Sequence, residues 1–269
     1  MSRIPSNTRP PLSELKRIAL ITREDGQEYP VEPLRKLLKR AHIDLLEGSG
    51  HDQIDLVIAL GGDGTVLRAL SAYSLVPTLA VNYGRVGFLT QCDREDIEKV
   101  LVRLLSDEYF IEERLALNVH YNGVVNRCIN EIVIKSIAHM NQLHLKVDGS
   151  FVHSMRGDGL IVGTPTGSTA YLMSTGAPLV TPGVSCVIAN PLNEYRFRSR
   201  SIVLPGDAEI EVIVDECREQ DLVLITDGGE RIPLKCGDVV KLTPAKDPTL
   251  LIAFEPHYFF RNLRERLDW

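Results

Sequence analysis

The stretch "DLVIALGGDGTVLRAL" (55–70) runs from a continuous apolar segment through a Gly-Gly-Asp-Gly turn into a segment with apolar residues at helical spacing. A strand that is apolar throughout is buried on both faces, which points to a parallel sheet covered by helices. Open α/β sheets bind ligands at the carboxyl ends of such strands, where Gly61 and Gly62 stand. Glycines there permit unusual backbone angles and let a ligand or a second backbone approach closely. The free amides opening the next helix, from about Thr65 onward, form a site for phosphate oxygens. Asp63, followed by Gly64, is out of character beside a phosphate, because a carboxylate repels it. It could be a general base that takes a proton from an attacking hydroxyl. It could hold Mg²⁺ bridged to phosphate oxygens. It could also be half of a plain Asp-Gly turn, with Asp63 or Thr65 capping the helix. The lysine-bearing GxxxxGK[ST] loop does not occur, and GGDGTV (61–66) does not fit GxGxxG. That argues against an ordinary P-loop ATPase and a standard Rossmann dehydrogenase.

Working outward, "RIALIT" (17–22) and "PTLAVN" (77–82) read as further buried strands. "VEPLRKLLKRAHI" (31–43) has Leu34, Leu37, Leu38 and Ala41 on one helical face. "DREDIEKVLVRLLSDE" (93–108) reads as a helix with Asp93 at its N-cap. Residues 1–13, with three prolines, read as a loose leader. Strands alternating with helices define an N-terminal α/β domain over residues 1–114 that carries the GGDGT loop.

The pattern changes near residue 115. "LALNVHYNGVVNRCINEIVIKS" alternates around Asn122-Gly123, and "LHLKVDGSFVHSM" repeats the device at Asp148-Gly149, both hairpin signals. "SIVLPGDAEIEVIV", "DLVLITDGGERIPL", "DVVKLTPA" and "TLLIAFE" add strands separated by turns. Residues 115–248 therefore read as an all-β, sandwich-like domain. Residues 249–269 supply a strand and then an amphipathic helix, "YFFRNLRERLDW", with Phe259, Leu263 and Leu267 on the face that docks on the body. The cleft between the two domains is the default ligand site.

The 269-residue chain has a formal net charge of -6 and no run of Lys and Arg suited to a polyanion, so nucleic acid is not an expected partner. Its longest apolar runs are too short to span a membrane, and no secretory signal pattern precedes them. Five scattered cysteines without a CxxC suit a reduced, cytoplasmic protein. The seven histidines show no metal-site spacing, so no protein-held metal is expected.

A second cluster lies at "RGDGLIVGTPTGSTAYLMSTGAP" (156–178). Thr164, Thr166, Ser168 and Thr169 crowd hydroxyls around Pro165 and Gly167, and Tyr171 adds an aromatic face that could stack on a base or pack in a core. A Ser/Thr-rich turn with Ser168 capping a helix is the simpler alternative. Arg156 and Asp158 flank the strand "GLIVG" and are read as ligand residues rather than a surface pair. In "INEIVIK" (129–135), Asn130 and Glu131 interrupt an apolar strand, and alternation sends them to opposite faces.

GGDGT after a buried strand, Asn130-Glu131 in a later strand, and "GDGLIVGTPTGSTAYLMSTGAP" (157–178), in this order, resemble the NAD kinase family. "VNYGRVGFLT" (81–90), "ITDGGERIPLKCGD" (225–238) and the closing "FFRNLRERLDW" extend the resemblance over nearly the whole chain from about residue 16. GGDGT alone also occurs in diacylglycerol and sphingosine kinases; TPTGSTAY in its company is specific. The resemblance implies an α/β domain followed by a β-sandwich, in a homodimer or homotetramer. It implies transfer of a phosphoryl group from ATP with Mg²⁺, or from polyphosphate, to the 2′-hydroxyl of the adenosine ribose of NAD, giving NADP. By resemblance Asp63 is the catalytic carboxylate and Gly64 its neighbour at the nucleotide. Asn130 and Glu131 hold the ribose and diphosphate region, and Thr169, Ala170 and Tyr171 surround adenine. Asp158, Thr166 and Ser174 reach the rest of the dinucleotide. Phe88 matches an aromatic residue near the adenosine pocket, and Asp227 the aspartate of a late Asp-Gly motif. Gly176-Ala177-Pro178 stands where many members have Gly-Gly-Pro, and 184–201 fits only loosely, where members differ over NAD and NADH. A lipid or sphingoid kinase, and a dinucleotide sensor without catalysis, are the competing readings.

Overall fold

The computed structural model describes residues 15–23, 29, 31–83, 87–90, 92–195, 200–218 and 221–267. The leader expected over 1–13 lies outside them. The chain divides into two compact units, residues 1–113 with 248–269, and residues 114–247.

The first unit is built on one sheet. "RIALIT" forms β1 (Arg17–Thr22) and "LVIALG" forms β3 (Leu56–Gly61), with β2 (Asp44–Glu47) on the other side of β1. Next come β4 (Thr78–Asn82), the two-residue β5 (Cys92–Asp93), β6 (Phe110–Arg114) and, from much later in the sequence, β19 (Thr249–Ala253). The order is β2-β1-β3-β4-β19-β6, with β5 beside β4. β1, β3 and β4 run parallel, with Ile18 opposite Leu56 and Val57 opposite Thr78. Every residue of β3, β4 and β19 is buried, as the unbroken apolar runs require of strands covered on both faces.

Two helices cover one face. α1 (Glu32–Arg40) and α3 (Ile97–Leu105) send Leu34, Leu38, Val100, Leu101 and Leu104 into a core with Ile58, Leu60, Leu79 and Val81. Each such side chain contributes roughly 1.5–3 kcal/mol by leaving water. α2 (Asp63–Ala72) buries Val66, Ala69 and Leu70. α5 (Tyr258–Leu267) buries Tyr258, Phe259, Asn262 and Leu263. Leu267 is only half-buried.

One local expectation fails here, and one strand had no sequence signal. Asp93 does not cap α3: it lies in β5, and its carboxylate accepts a 2.9 Å hydrogen bond from the Asn82 side chain. A 3-10 turn (Arg94–Asp96) separates it from the helix, whose N-cap is Asp96. Asn82 is buried at the end of β4, and its amide requires an acceptor there. β2 left no signal because only its two leucines are apolar.

The second unit contains two six-stranded sheets. One has β7 (Leu117–Tyr121), β8 (Val124–Cys128), β10 (Asn141–Val147), β11 (Ser150–Gly157), β15 (Ile210–Glu216) and β18 (Val239–Pro244), in the order β11-β10-β15-β18-β7-β8. The other has β9 (Glu131–Ser136), β12 (Gly159–Gly163), β13 (Cys186–Leu192), β14 (Ile202–Pro205), β16 (Leu222–Thr226) and β17 (Ile232–Pro233), in the order β14-β13-β12-β9-β16-β17. Both hairpins form at the expected dipeptides, with positive φ at Asn122, Gly123, Asp148 and Gly149. A shared core joins the sheets face to face, with Val119, Leu143, Val212 and Leu242 from one and Ile132, Leu160, Val187 and Leu224 from the other. α4 (Tyr171–Ser174) is a single turn after β12.

The cysteines are free thiols, although Cys217 and Cys236, far apart in sequence, bring their sulfurs to 3.1 Å. None of the described helices is long and apolar enough to cross a membrane.

Candidate functional site

In the first unit the site is organised by Asp63. The helix starts earlier than its apolar spacing suggests, at Asp63 itself with Gly62 as N-cap. The Thr65 amide therefore already donates to the Gly62 carbonyl at 2.9 Å, as does that of Val66 at 3.2 Å. The first-turn amides outside the helix ladder are those of Asp63 and Gly64, not those from Thr65 onward. Neither Gly61 nor Gly62 adopts positive φ. Gly61 is needed for close approach, since a Cβ there would stand 2.3 Å from the Thr65 hydroxyl. Around Gly62 and Gly64 a Cβ would meet nothing within 4 Å among the described residues, and Gly64 is exposed.

The half-buried Asp63 carboxylate does not cap its own helix. It turns to a distant segment, accepting from the amides of Phe88 at 2.9 Å and Leu89 at 3.1 Å. Gly87 allows this contact, because a Cβ there would fall 1.8 Å from Asp63 Oδ1. Thr90 closes the turn through its hydroxyl on the Gly87 amide at 3.0 Å. A carboxylate offers about four lone-pair directions. Two are taken here, so the group is oriented and still able to accept. The Phe88 ring is buried between Phe259 and the Arg266 guanidinium, with 6.4 Å and 4.8 Å to its centroid.

A different constellation forms in the second unit. Asn130 and Glu131 do not share one strand as expected: β9 begins at Glu131, and Asn130 lies in the bend before it. Both are buried. Asp227, with φ of 48°, holds the bend: it accepts from the amides of Ile129, Asn130 and Glu131 at 2.8, 2.7 and 3.2 Å. Burial raises the Asp227 pKa, and these donors oppose the rise. Glu131 is pushed up to about 8, chiefly by desolvation and secondarily by the Asp227 charge, while the Tyr171 amide donates to it. Its Oε2 is buried with no partner among the described residues.

The hydroxyls of "TPTGSTAY" point mostly inward, against the expectation of an open set of donors. Thr164 donates to the Ile129 carbonyl at 2.6 Å and accepts the Thr166 amide, and Ser168 links the Pro165 carbonyl to the Val180 amide. Thr169 donates to the Thr166 carbonyl, and buried Arg114 donates to Thr166 at 3.2 Å. A buried loop carries backbone groups that need partners, and these side chains supply them. Ser168 caps nothing; Ala170 precedes α4. Gly167 lies against Asn130, whose carbonyl oxygen would be 2.3 Å from an added Cβ. Tyr171 keeps 40% of its surface exposed, with the Lys135 ammonium 5.8 Å from its ring centroid.

Glu131, Thr166, Thr169, Ala170, Tyr171, Asn130 and Asp227 thus form one cluster. Arg156 and Asp158 do not join it, because β12 pairs Gly163 with Glu131 and Gly159 with Lys135 and so carries them to its other end. There Asp158 accepts from the Asn193 side chain at 2.8 Å, Arg156 is exposed, and no ion pair joins the two among the described residues. Ser174 is exposed at the end of α4. Gly87, Asn262 and Arg266 were not anticipated. Asn262 and Arg266, polar residues sharing the helical face of Phe259 and Leu263, were the available signal. Among the described residues no group of three or more His, Cys, Asp or Glu is placed to hold a metal ion.

Two family models match the chain, the ATP-NAD kinase N-terminal domain over residues 22–109 and the ATP-NAD kinase C-terminal domain over 129–254. An NAD kinase from Thermoplasma volcanium is 33% identical over 261 residues, covering 94% of this chain and 94% of its own. One from Marinobacter nauticus is 38% identical over 224 residues, 80% of this chain and 76% of its own. Among solved structures, an Archaeoglobus fulgidus NAD kinase in complex with ATP superimposes with a TM-score of 0.80 at 29% identity, covering 94% and 98% of the two chains. Yeast NADH kinase complexed with NADH shares the fold, with a TM-score of 0.86 at 22% identity over 95% and 88%. The class this defines is a kinase, an enzyme of phosphoryl transfer. The chain belongs to the NAD kinase family.

Proposed function

We propose that this chain transfers the terminal phosphoryl group of ATP to the 2′-hydroxyl of the adenosine ribose of NAD, giving NADP, and that Asp63 receives the hydroxyl proton. The observation that carries the reading is the Asp63 carboxylate at the start of α2, fixed by the Phe88 and Leu89 amides beside two glycines that leave their surroundings open. Phosphoryl transfer depends mostly on alignment and charge neutralisation, with little covalent work for the protein. The Asp63 and Gly64 amides at the positive end of the helix suit phosphate oxygens, and the oriented carboxylate suits the attacking hydroxyl. One carboxylate with two lone pairs already engaged is a poor resident metal site, so Mg²⁺ is assigned to the donor substrate as Mg·ATP, where it neutralises phosphate charge.

In the second unit the buried Glu131, with its partnerless Oε2, supplies an acceptor for sugar hydroxyls, and half-exposed Tyr171 supplies a face for a base. The solved Archaeoglobus fulgidus NAD kinase is in complex with ATP and yeast NADH kinase with NADH, which supports these two substrate classes.

The test is incubation of the protein with Mg·ATP and NAD, followed by an assay with a dehydrogenase that reads only 2′-phosphorylated cofactor. Parallel arms replace ATP with polyphosphate, and NAD with NADH or diacylglycerol. NADP formation is the expected result. Tight NAD binding without turnover would make the protein a sensor, and phosphorylation of diacylglycerol alone would make it a lipid kinase.

A further inference from the structure

We propose that Arg266, assisted by Asn262, is a positioning residue for the Asp63 carboxylate: the face of α5 grips the back of the turn whose front holds that carboxylate. The inference rests on the assignment of Asp63 as proton acceptor, and deepens it.

The turn at 87–90 has two sides. Its amides at Phe88 and Leu89 face Asp63. The Gly87 carbonyl accepts from the Asn262 side chain at 3.3 Å, and Asn262 is 2% exposed. The Phe88 ring lies between Phe259 and the Arg266 guanidinium. Phe259, Asn262 and Arg266 recur at three- and four-residue intervals, so one helical stripe makes all three contacts.

Arg266 is an unusual choice for a packing residue. Its side chain is half-buried, and Nε is shielded from water without a hydrogen-bond partner among the described residues. Desolvation disfavours the cation there and lowers its pKa, and the charge of Asp63 opposes that effect only in part. A flat cation over the Phe88 ring fixes the residue whose amide donates to Asp63, and so restrains the carboxylate through the turn. An apolar residue of similar length would fill the space without restraining the carboxylate. Among the described residues Asp63 receives two hydrogen bonds, both from this turn, so release of the turn frees the acid as well. A displacement of about 1 Å from productive geometry costs on the order of 10²-fold in rate.

The test compares wild type with Arg266→Met, Arg266→Lys and Asn262→Ala in the full chain. Three quantities are read: kcat and the KM values for NAD and ATP, hydrogen exchange at the Phe88 and Leu89 amides, and Tm. For Arg266→Met we expect kcat to fall at least about tenfold with both KM values within about twofold, as loss of alignment rather than of binding requires. Exchange at the two amides should rise about tenfold while the β-sandwich amides stay protected. Arg266→Lys, which keeps a cation over the ring, should recover most of kcat, and Asn262→Ala should lie between. Unchanged exchange at 88–89, unchanged kcat, or exchange that accelerates throughout the molecule would each overturn the proposal. If the wild type forms no NADP, the functional reading fails, and the two amides still decide whether Arg266 holds the turn.

Discussion

Two aspartates in this molecule do the same mechanical thing with opposite chemical consequences. Asp63 and Asp227 each reach across the fold to accept backbone amides from a segment distant in sequence, residues 88–89 in one unit and 129–131 in the other. Asp227 is half-buried, and its lone pairs are filled by three amides and by the Cys128 thiol at 3.5 Å. It is a fixed part of the scaffold. Asp63, likewise half-buried, accepts two bonds among the described residues and lies beside Gly62 and Gly64, where a Cβ would meet nothing within 4 Å. On the proposed function, orientation by backbone donors is common to both carboxylates, and the open lone pair is what suits Asp63 to accept a proton. Glu131 is a third state, buried with one oxygen partnered and the other not.

The comparison breaks most visibly through the rate. Asp63→Asn should lose about 10²–10⁴-fold in kcat while NAD binding stays near normal, the range for removal of a general base. A variant with wild-type turnover in the NADP assay would place Asp63 with Asp227 as scaffold, and restoration by excess Mg²⁺ would make it a metal ligand. Gly87→Ala should follow, at about 10²-fold in kcat, because the added methyl displaces the carboxylate by an ångström or more. Its crystal structure should show the acid moved; an unmoved acid with normal rate would contradict the contact.

Stability should discriminate the pair in reverse. Asp227→Ala leaves three buried amides without acceptors and should destabilise the protein by about 3 kcal/mol or more, at ~1–3 kcal/mol for each such group. Asp63→Ala removes the acceptor of two amides rather than three, those of buried Phe88 and Leu89, and should lose less, roughly two-thirds as much. Urea midpoints of the two variants would measure the difference, and equal losses would remove the distinction.

The smallest effect is a slope. The folded protein keeps the Glu131 proton up to about pH 8, whereas the unfolded chain releases it near its ordinary value of 4.5. The folded state thus binds more protons between those values. Stability contributed by this group falls as pH rises through that window and levels off above it. Glu131→Gln should flatten this part of the Tm profile relative to wild type between pH 5.5 and 8.5; parallel profiles would show that Glu131 is not raised.

Much of this was legible. The apolar runs gave β1, β3 and β4, and the Asn-Gly and Asp-Gly pairs gave both hairpins, because in each case local chemistry and tertiary context agree. The misses are places where a side chain found a partner the sequence does not announce. Asp93 left its helix for Asn82, and the hydroxyls of "TPTGSTAY" turned from ligand surface to backbone support. Gly87, Asn262 and Arg266 escaped notice because their relation to Asp63 spans up to 203 positions (266 minus 63), beyond any local pattern.

The sheet order carries one further consequence, for the protein's life before it is an enzyme. β19 lies between β4 and β6, so the first sheet stays divided until residues 249–253 have been synthesised. Throughout that interval the Thr78 end of β4 presents an open edge, since β5 pairs only with Val81 and Asn82, and open edges are surfaces on which nascent chains associate. The same late segment brings α5 and its hold on the 87–90 turn. If α5 holds the turn as proposed, a chain that ends before residue 249 should be aggregation-prone and inactive together, so that a partial product turns over no substrate.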